Sequence, residues 1–390
     1  MTATPGRLRA EEARWHTASR VLAWIRQHPG ATRAALTSEL QLASGLAAEV
    51  TGRLRASSLL VETPAPRTGR GRPTTLLGPH PAGPVLLALD VRTHDWRSAL
   101  VTIDGALHDV TITRHASRAA AAVLAAVRER VTAVREAYGP RLRAVSVAVA
   151  GTVYDGRLVQ SATLGWRDAD LGDLAGGPAL LLGNDATLAG VAEARTGAAV
   201  GASTALHLMT GVGIGGTVTA GGRPVTGSHG AAGEYGHQPY GDKRLICPCG
   251  ARGCWDLEVD GRALARHLGV TEPADPIAFA RAVLRSPDPA MRAAVATVAS
   301  ALGGGVGALV NAHDPALVTL GGAAAPLRRA APAAFDEAYR DALMAFHRVR
   351  PPEVVDAAHG EDGPLQGAAV LGLDHVTSEA ALAEWAAQER

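Results

Sequence analysis

The spacing of apolar positions changes twice along this chain. Over residues 18–26 they recur at helical intervals, with Val21, Leu22, Trp24 and Ile25 on one side, and His28-Pro29-Gly30 ends the run. Thr32 is placed to cap a second helix over 33–40, whose inner side holds Ala35, Leu36 and Leu40. After the short turn Gln41-Leu42-Ala43, a third helix is predicted at about 44–57 with Ala47, Val50 and Leu54 inward. Two helices across so short a turn form a helix-turn-helix. The period then shortens: Leu59-Leu60-Val61 and Thr74-Thr75-Leu76-Leu77 predict a hairpin wing with Arg70-Gly71-Arg72-Pro73 at its tip.

Pro79–Pro84 reads as a stiff linker. Beyond it, apolar strands alternate with helices. Strands are predicted at 85–90, 98–103, 107–113, 142–150, 179–182, 205–209 and 317–320, and helices at 117–137, 187–195 and about 289–312. That alternation predicts an α/β body, whose functional residues belong at the carboxyl ends of its strands. Gly151, Asn184-Asp185, the run Thr210–Gly216 and Gly321-Gly322 occupy such ends.

Charge separates the two parts. Residues 1–82 hold 11 Arg and 5 Glu with no Lys or Asp, a balance of +6, so the remainder carries −5 of the overall +1. A basic first fifth on an acidic body points to nucleic acid as partner of the first part. Ser44, Gly45, Leu46, Ala48 and Glu49 are placed to face bases, Leu46 toward a thymine methyl and Glu49 toward a cytosine amine. Arg33 and Arg53 are candidate phosphate contacts, and Arg70 and Arg72 can enter an A·T-rich minor groove. The alternative for this segment is a three-helix protein-interaction module. No apolar run of membrane-spanning length and no signal-peptide pattern are read from the sequence, and a cytoplasmic location is expected.

All three cysteines lie within eight residues, Cys247, Cys249 and Cys254, and His237 precedes them by ten. Three thiolates and one imidazole complete a tetrahedral zinc site with no position left for water, hence a structural one. The alternative is three small buried side chains, but packing cysteines scatter and these cluster. Glu234 and His237 open this segment, and Asp256 and Glu258 close it.

Gly233-Glu234-Tyr235-Gly236-His237, the cysteine cluster with Gly250 and Gly253, Asn184-Asp185-Ala186, Thr210–Gly216 and Gly321-Gly322 together resemble the ROK family of sugar kinases and transcriptional repressors. The resemblance spans residue 85 to the C-terminus, and the preceding winged helix matches the regulator branch. It implies a winged helix-turn-helix (1–78), a linker (79–84) and a two-lobed actin/hexokinase-like α/β body (85–390). Lobe one would comprise about 85–183 with a C-terminal helix at about 365–390, and lobe two about 184–364. It further implies that Asn184 and Asp185 contact a sugar, Asp185 being the general base in kinases. Glu234 and His237 would complete the pocket, with the Gly151 backbone lining it and His237 bridging zinc and sugar.

Two departures shift the expected function. Kinases of this type follow the first strand with Asp-x-Gly-Gly-Thr, a loop that wraps ATP phosphate; here the run is Asp90-Val91-Arg92-Thr93-His94. Side chains in place of the glycines block close backbone approach to phosphate. The pocket also has Thr163 where the family commonly has Asn, and Asp256 where it has Glu. The expectation is therefore a DNA-binding regulator, a homodimer or homotetramer, that senses a sugar or sugar derivative and does not phosphorylate it. A sugar kinase with an appended DNA-binding domain, or an oligomer that binds DNA without a small ligand, are the alternatives.

Overall fold

The structure, a computed structural model, describes residues 5–65, 75–161, 163–167 and 169–388. Three helices, Pro5–Gln27, Arg33–Glu39 and Ser44–Ala56, precede an antiparallel pair of strands, Leu60–Pro64 and Thr75–Pro79. Thr32 caps the second helix as its sequence suggests, accepting from the Ala35 amide at 3.1 Å. Ala47, Val50 and Leu54 are buried, and Ser44, Gly45, Leu46, Ala48 and Glu49 lie exposed on the opposite side. The first helix begins well before residue 18, because the arginine- and glutamate-rich stretch before Trp15 offers no one-sided apolar stripe to read. The tip with Arg70 and Arg72 lies outside the described residues.

The body repeats one topology twice. In each five-stranded sheet an antiparallel meander is extended by two parallel strands. The first sheet runs in the order 179–184, 142–149, 85–91, 95–102, 107–114. The second runs 223–224, 213–220, 204–211, 317–322, 353–356. Each sheet has its own buried core. Helix Ala120–Tyr138 covers the first with Val123, Leu124, Val127, Val131 and Val134, a helical stripe of β-branched and leucyl side chains. The carboxyl ends of 85–91, 142–149 and 179–184 lie side by side, Asp90 level with Ala148 and Ala148 with Gly183. A small sheet, 152–154, 157–161 and 166–167, follows directly and was not legible from periodicity.

Two expectations change. Helix Pro289–His313, with mean hydropathy 1.8 in its most apolar window, does reach membrane-spanning length. Its Ala, Gly and Val positions face the core of the second lobe, where Val298, Leu302 and Val306 are fully buried. The C-terminal helix expected at 365–390 is two helices, Gly363–Val376 and Glu379–Gln388, broken at Thr377-Ser378.

These two helices go to different places. Gly363–Val376 lies between the first sheet and helix Asp185–Thr196; a Cβ at Gly367 would collide with the Leu188 carbonyl, so only glycine permits that approach. Glu379–Gln388 instead joins the N-terminal core: Leu382, Trp385 and Ala386 pack with Trp15, Leu22, Leu54 and Leu59. The Trp385 indole N–H donates to the Ser57 carbonyl at 2.7 Å, and Arg26 donates to the Thr377 hydroxyl at 3.0 Å. The segment read as a stiff linker is held against the body, since Arg141 donates to the carbonyls of Pro81 and Gly83 at 2.5 and 3.0 Å.

Candidate ligand and metal site

His237 and the three cysteines converge. Their ligand atoms all lie within 4.8 Å of one another. Cys249 Sγ is 3.7 Å from Cys254 Sγ, and Cys247 Sγ is 3.8 Å from His237 Nδ1. A tetrahedron with metal–sulfur bonds of about 2.3 Å has sulfur–sulfur edges of about 3.8 Å. The donor set and its spacing fit a thiolate-preferring tetrahedral ion. Local backbone makes this possible: Cys247 N–H donates to Ala251 O and Gly250 N–H to Cys247 O, both at 2.8 Å, with Gly250 and Gly253 at φ +93° and +70°. Such left-handed positions favour glycine.

Nδ1 of His237 faces the sulfurs, so Nε2 points the other way, 3.6 Å from Glu234 Oε2. Glu234 also accepts from the Thr152 hydroxyl at 3.1 Å, one residue past Gly151. Asn184 ties the third strand end to this corner: its Nδ2 donates to Gly151 O at 3.0 Å while its Oδ1 accepts from the Thr187 amide at 2.9 Å. Asn184 is thus the helix N-cap, and Asp185 is released from that role to the first helical position. The Asp185 carboxylate accepts from the neighbouring Ala186 amide, at 2.9 Å. Burial first, and Glu234 nearby, push it up to about 6. Gly151, Asn184, Asp185, Glu234 and His237 therefore form one corner.

The remaining candidates are placed otherwise. Asp256 turns away toward the second lobe, accepting from the Ile214 amide at 2.8 Å, with its other oxygen 3.9 Å from the metal-side nitrogen of His237. Glu258 accepts from the Asp242 amide at 3.0 Å and pairs with Arg266 at 2.7 Å, so it braces the cysteine loop and does not stand in for Asp256. Thr163 has its carbonyl held by Arg118 at 3.1 Å, and its hydroxyl has no hydrogen-bond partner among the described residues.

The two phosphate-type loops differ: the first has lost its glycines and the second, Gly211–Gly216, keeps them. Residues 92–95 form a closed turn in which Arg92 donates to the Asp95 carboxylate at 2.6 Å and His115 bonds to the Arg92 carbonyl at 2.8 Å. His94 on this turn reaches to 3.9 Å from Asp275, across the cleft in the second lobe. The run Gly211–Gly216 is a tight hairpin, not an open loop: Gly211 pairs with Gly213 and Thr210 with Ile214. Its turn amides are already satisfied, Gly213 by Asp260 at 3.0 Å and Ile214 by Asp256.

Asp90 opens the altered first loop, and its sequence position assigns it no role. It is 1 % exposed, neither carboxylate oxygen has a hydrogen-bond partner among the described residues, and Arg92 stands 3.9 Å away. Burial raises it to about 7 against the opposing pull of Arg92, and the Asp185 charge adds to the rise. Because the folded state holds this proton more tightly than the unfolded one, its contribution to stability is intact below about pH 4. That contribution is lost as pH rises through about 7. Asp90→Asn is therefore expected to stabilise the protein at pH 8 by on the order of 1–3 kcal/mol and to be nearly neutral at pH 4. Urea unfolding at both pH values checks this; equal effects at the two would contradict it.

In the N-terminal module, Arg53 pairs with Glu49 at 3.1 Å one turn away and lies over the Trp15 ring. Arg33 forms a two-pronged bond to Glu62 on the wing, at 2.6 and 2.8 Å. Both guanidiniums are therefore anchored within the module: Arg33 joins the second helix to the wing, and Arg53 joins the third helix to the first.

Comparison with known proteins returns the same architecture. The profile of the ROK family matches residues 86–375. A solved ROK family transcriptional regulator, described as a homologue of the E. coli MLC protein, superposes with a TM-score of 0.75. It covers 97 % of this chain and 100 % of its own at 20 % identity. A ROK family glucokinase from Streptomyces griseus, in complex with glucose and AMPPNP, superposes with a TM-score of 0.63 at 24 % identity. It covers 74 % of this chain and 98 % of its own. Among curated relatives, the N-acetylgalactosamine kinase AgaK of Shewanella sp. (strain ANA-3) is 31 % identical over 201 residues, 49 % of this chain and 64 % of its own length. The solved regulator extends over the N-terminal helices and small sheet, which the glucokinase does not reach.

Proposed function

The chain belongs to the ROK family, and from that premise we propose that it is a DNA-binding transcriptional regulator, a repressor. Its body would sense a sugar or sugar derivative and hold one structural zinc ion through His237, Cys247, Cys249 and Cys254. The observation that carries this reading is the shared core: helix Glu379–Gln388 of the body is built into the winged helix through Trp385. Ligand at Asp185 and Glu234 bears on helix Asp185–Thr196, which packs on Gly363–Val376, which continues into Glu379–Gln388. That is a route by which pocket occupancy shifts the population of DNA-binding orientations. Two recognition helices of a homodimer or homotetramer would then meet half-sites a helical turn, or multiples of it, apart. Bound zinc would fix the ring of His237 and leave Nε2 to the ligand side.

Phosphorylation of the sugar is not part of this reading. Catalysis of phosphoryl transfer consists largely of positioning and charge stabilisation by phosphate loops. Here the first loop is a closed turn and the amides of the second are engaged by Asp256 and Asp260. The kinase alternative draws on the retained run Gly211–Gly216 and on the half-buried Asp185 carboxylate, which has no cationic partner among the described residues. A coupled assay with ATP, magnesium and a panel of sugars separates the two: no turnover is expected, and turnover abolished by Asp185→Asn would establish the kinase.

DNA binding itself is tested by gel shift with genomic fragments at low salt, where retarded bands are expected. The double variant Arg70→Ala, Arg72→Ala should weaken binding and lower the slope of log K against log salt by about 2. An unchanged slope would assign the wing tip no contact with DNA.

A further inference from the structure

Side chains of the two lobes meet at the ligand corner, at the mouth of the cleft and along one chain crossover. At the corner, Thr152 of the first lobe donates to Glu234 of the second at 3.1 Å. At the mouth, His94 of the first phosphate-type loop lies 3.9 Å from Asp275, the N-cap of helix Pro276–Leu284. The crossover, residues 357–362, carries strand 353–356 of the second sheet into helix Gly363–Val376, which packs on the first. The corner contact uses a carboxylate that a bound ligand would claim, and the mouth contact is an ion pair only while an imidazole carries a proton. The crossover contacts depend on neither.

This crossover is gripped along its length. The Glu193 carboxylate, buried in helix Asp185–Thr196, accepts from the amides of Ala358 and His359 at 3.0 and 2.8 Å. The next turn is closed by the Asp362 amide on the His359 carbonyl at 2.9 Å, with Gly360 at φ +53°, a conformation that favours glycine. The turn places Glu361 between guanidiniums from opposite lobes. Arg97, on strand 95–102 of the first, donates to the Glu361 carbonyl at 3.4 Å, stands 3.8 Å from its carboxylate and is bonded to Asp362. Arg281, on helix Pro276–Leu284 in the core of the second, is bonded to the same carboxylate. An isolated exposed ion pair contributes little, but here one carboxylate joins a network in which the Arg97 side chain is buried. Helix Pro276–Leu284 thus carries both the mouth contact, through Asp275, and the crossover contact, through Arg281.

We propose that Glu361 is an interlobe latch, which holds the cleft closed through the chain's own side chains with neither ligand nor nucleotide bound. A nucleotide lodged between two phosphate loops joins the lobes that carry them. Here the first loop has lost its glycines, and the Arg97–Glu361–Arg281 bridge does the joining. Closure at rest goes beyond the sensor reading and does not depend on it. A ligand would then act on an equilibrium already biased toward the closed form.

The test is hydrogen exchange read by mass spectrometry on the full zinc-loaded chain with no sugar present. Glu361→Gln and Arg281→Gln each remove one side of the latch and touch neither the ligand corner nor the cysteines. Each is expected to speed exchange several-fold in peptides that line the cleft, over the 92–95 turn and Gly151-Thr152. Peptides of helix Ala120–Tyr138, in the core of the first lobe, should be unchanged. The double variant should be no faster than either single one, because both remove the same contact. Gly360→Ala should act in the same direction. Its added Cβ meets nothing within 4 Å, so only the strained turn that aims Glu361 is affected. Unchanged cleft exchange in both single variants overturns the latch. So do additive effects in the double variant, or equal acceleration in helix Ala120–Tyr138, which would mark general destabilisation. Sugar binding and DNA binding enter none of these outcomes, so failure here leaves the sensor reading standing.

Discussion

Cys254→Ala is expected to remove the metal and, with it, the response to ligand. Cys254 is 1 % exposed, and its sulfur lies 3.7 Å from Cys249 Sγ and 3.9 Å from the His237 carbonyl, so it closes both ends of the loop. Trp255, the next residue, is buried to 1 % against helix Pro289–His313 and donates to the Ala301 carbonyl at 3.0 Å. Loss of the metal therefore frees a loop anchored on the core of the second lobe. Apparent metal-binding energies of structural zinc sites are on the order of 10 kcal/mol, which makes the loop's order dependent on the ion. About one zinc per chain is expected by atomic emission in the wild type and none in the variant. The cysteine loop and the N-terminal module belong to separate apolar cores, so low-salt DNA binding should persist while sugar-induced thermal stabilisation disappears. A variant that keeps full ligand response would show that His237 does not couple metal to pocket.

Trp385→Ala is expected to detach the DNA-binding module from the body. The indole is 4 % exposed, packs among N-terminal apolar residues and donates to the carbonyl of Ser57, the residue that ends helix Ser44–Ala56. Truncating a buried tryptophan costs about 3–5 kcal/mol. The orphaned Ser57 carbonyl adds about 1–3 kcal/mol if left dry. The module is small, and that loss is a large part of any stability a domain of its size can have. Calorimetry should show the N-terminal part unfolding separately and earlier, with operator affinity reduced and sugar binding to the body unchanged. A single transition at the wild-type temperature would contradict the shared core.

The two halves of the molecule were unequally legible. The three helices and wing followed from period and capping because each is a local pattern: Thr32, Ala47, Val50 and Leu54 lie where their spacing places them. The metal cluster was legible because its ligands are close in sequence and chemically unambiguous. The break at Thr377-Ser378 was not, since Ala- and Leu-rich sequence on both sides supports one helix, and only the destination of Trp385 in a core more than 300 residues away explains it. Asn184 and Asp185 illustrate the same limit. Either could cap the helix by composition, and the Gly151 carbonyl that holds Asn184 comes from a different strand. Asp256 and Glu258 are two residues apart and both acidic, yet their partners, the Ile214 amide and Arg266, lie in different elements. The burial of Asp90 without hydrogen bonds was not legible, because nothing local distinguishes such a carboxylate from an ordinary strand-end aspartate.

The central claim, that a small ligand in the body controls DNA binding, is tested most directly by fluorescence anisotropy on a DNA fragment selected by the protein itself, titrated with and without a saturating sugar that thermal-shift screening has shown the body to bind. The account predicts a tenfold or greater change in operator affinity, abolished by Cys254→Ala and by Asp185→Asn. Identical binding curves with and without any sugar that the body demonstrably binds would contradict it.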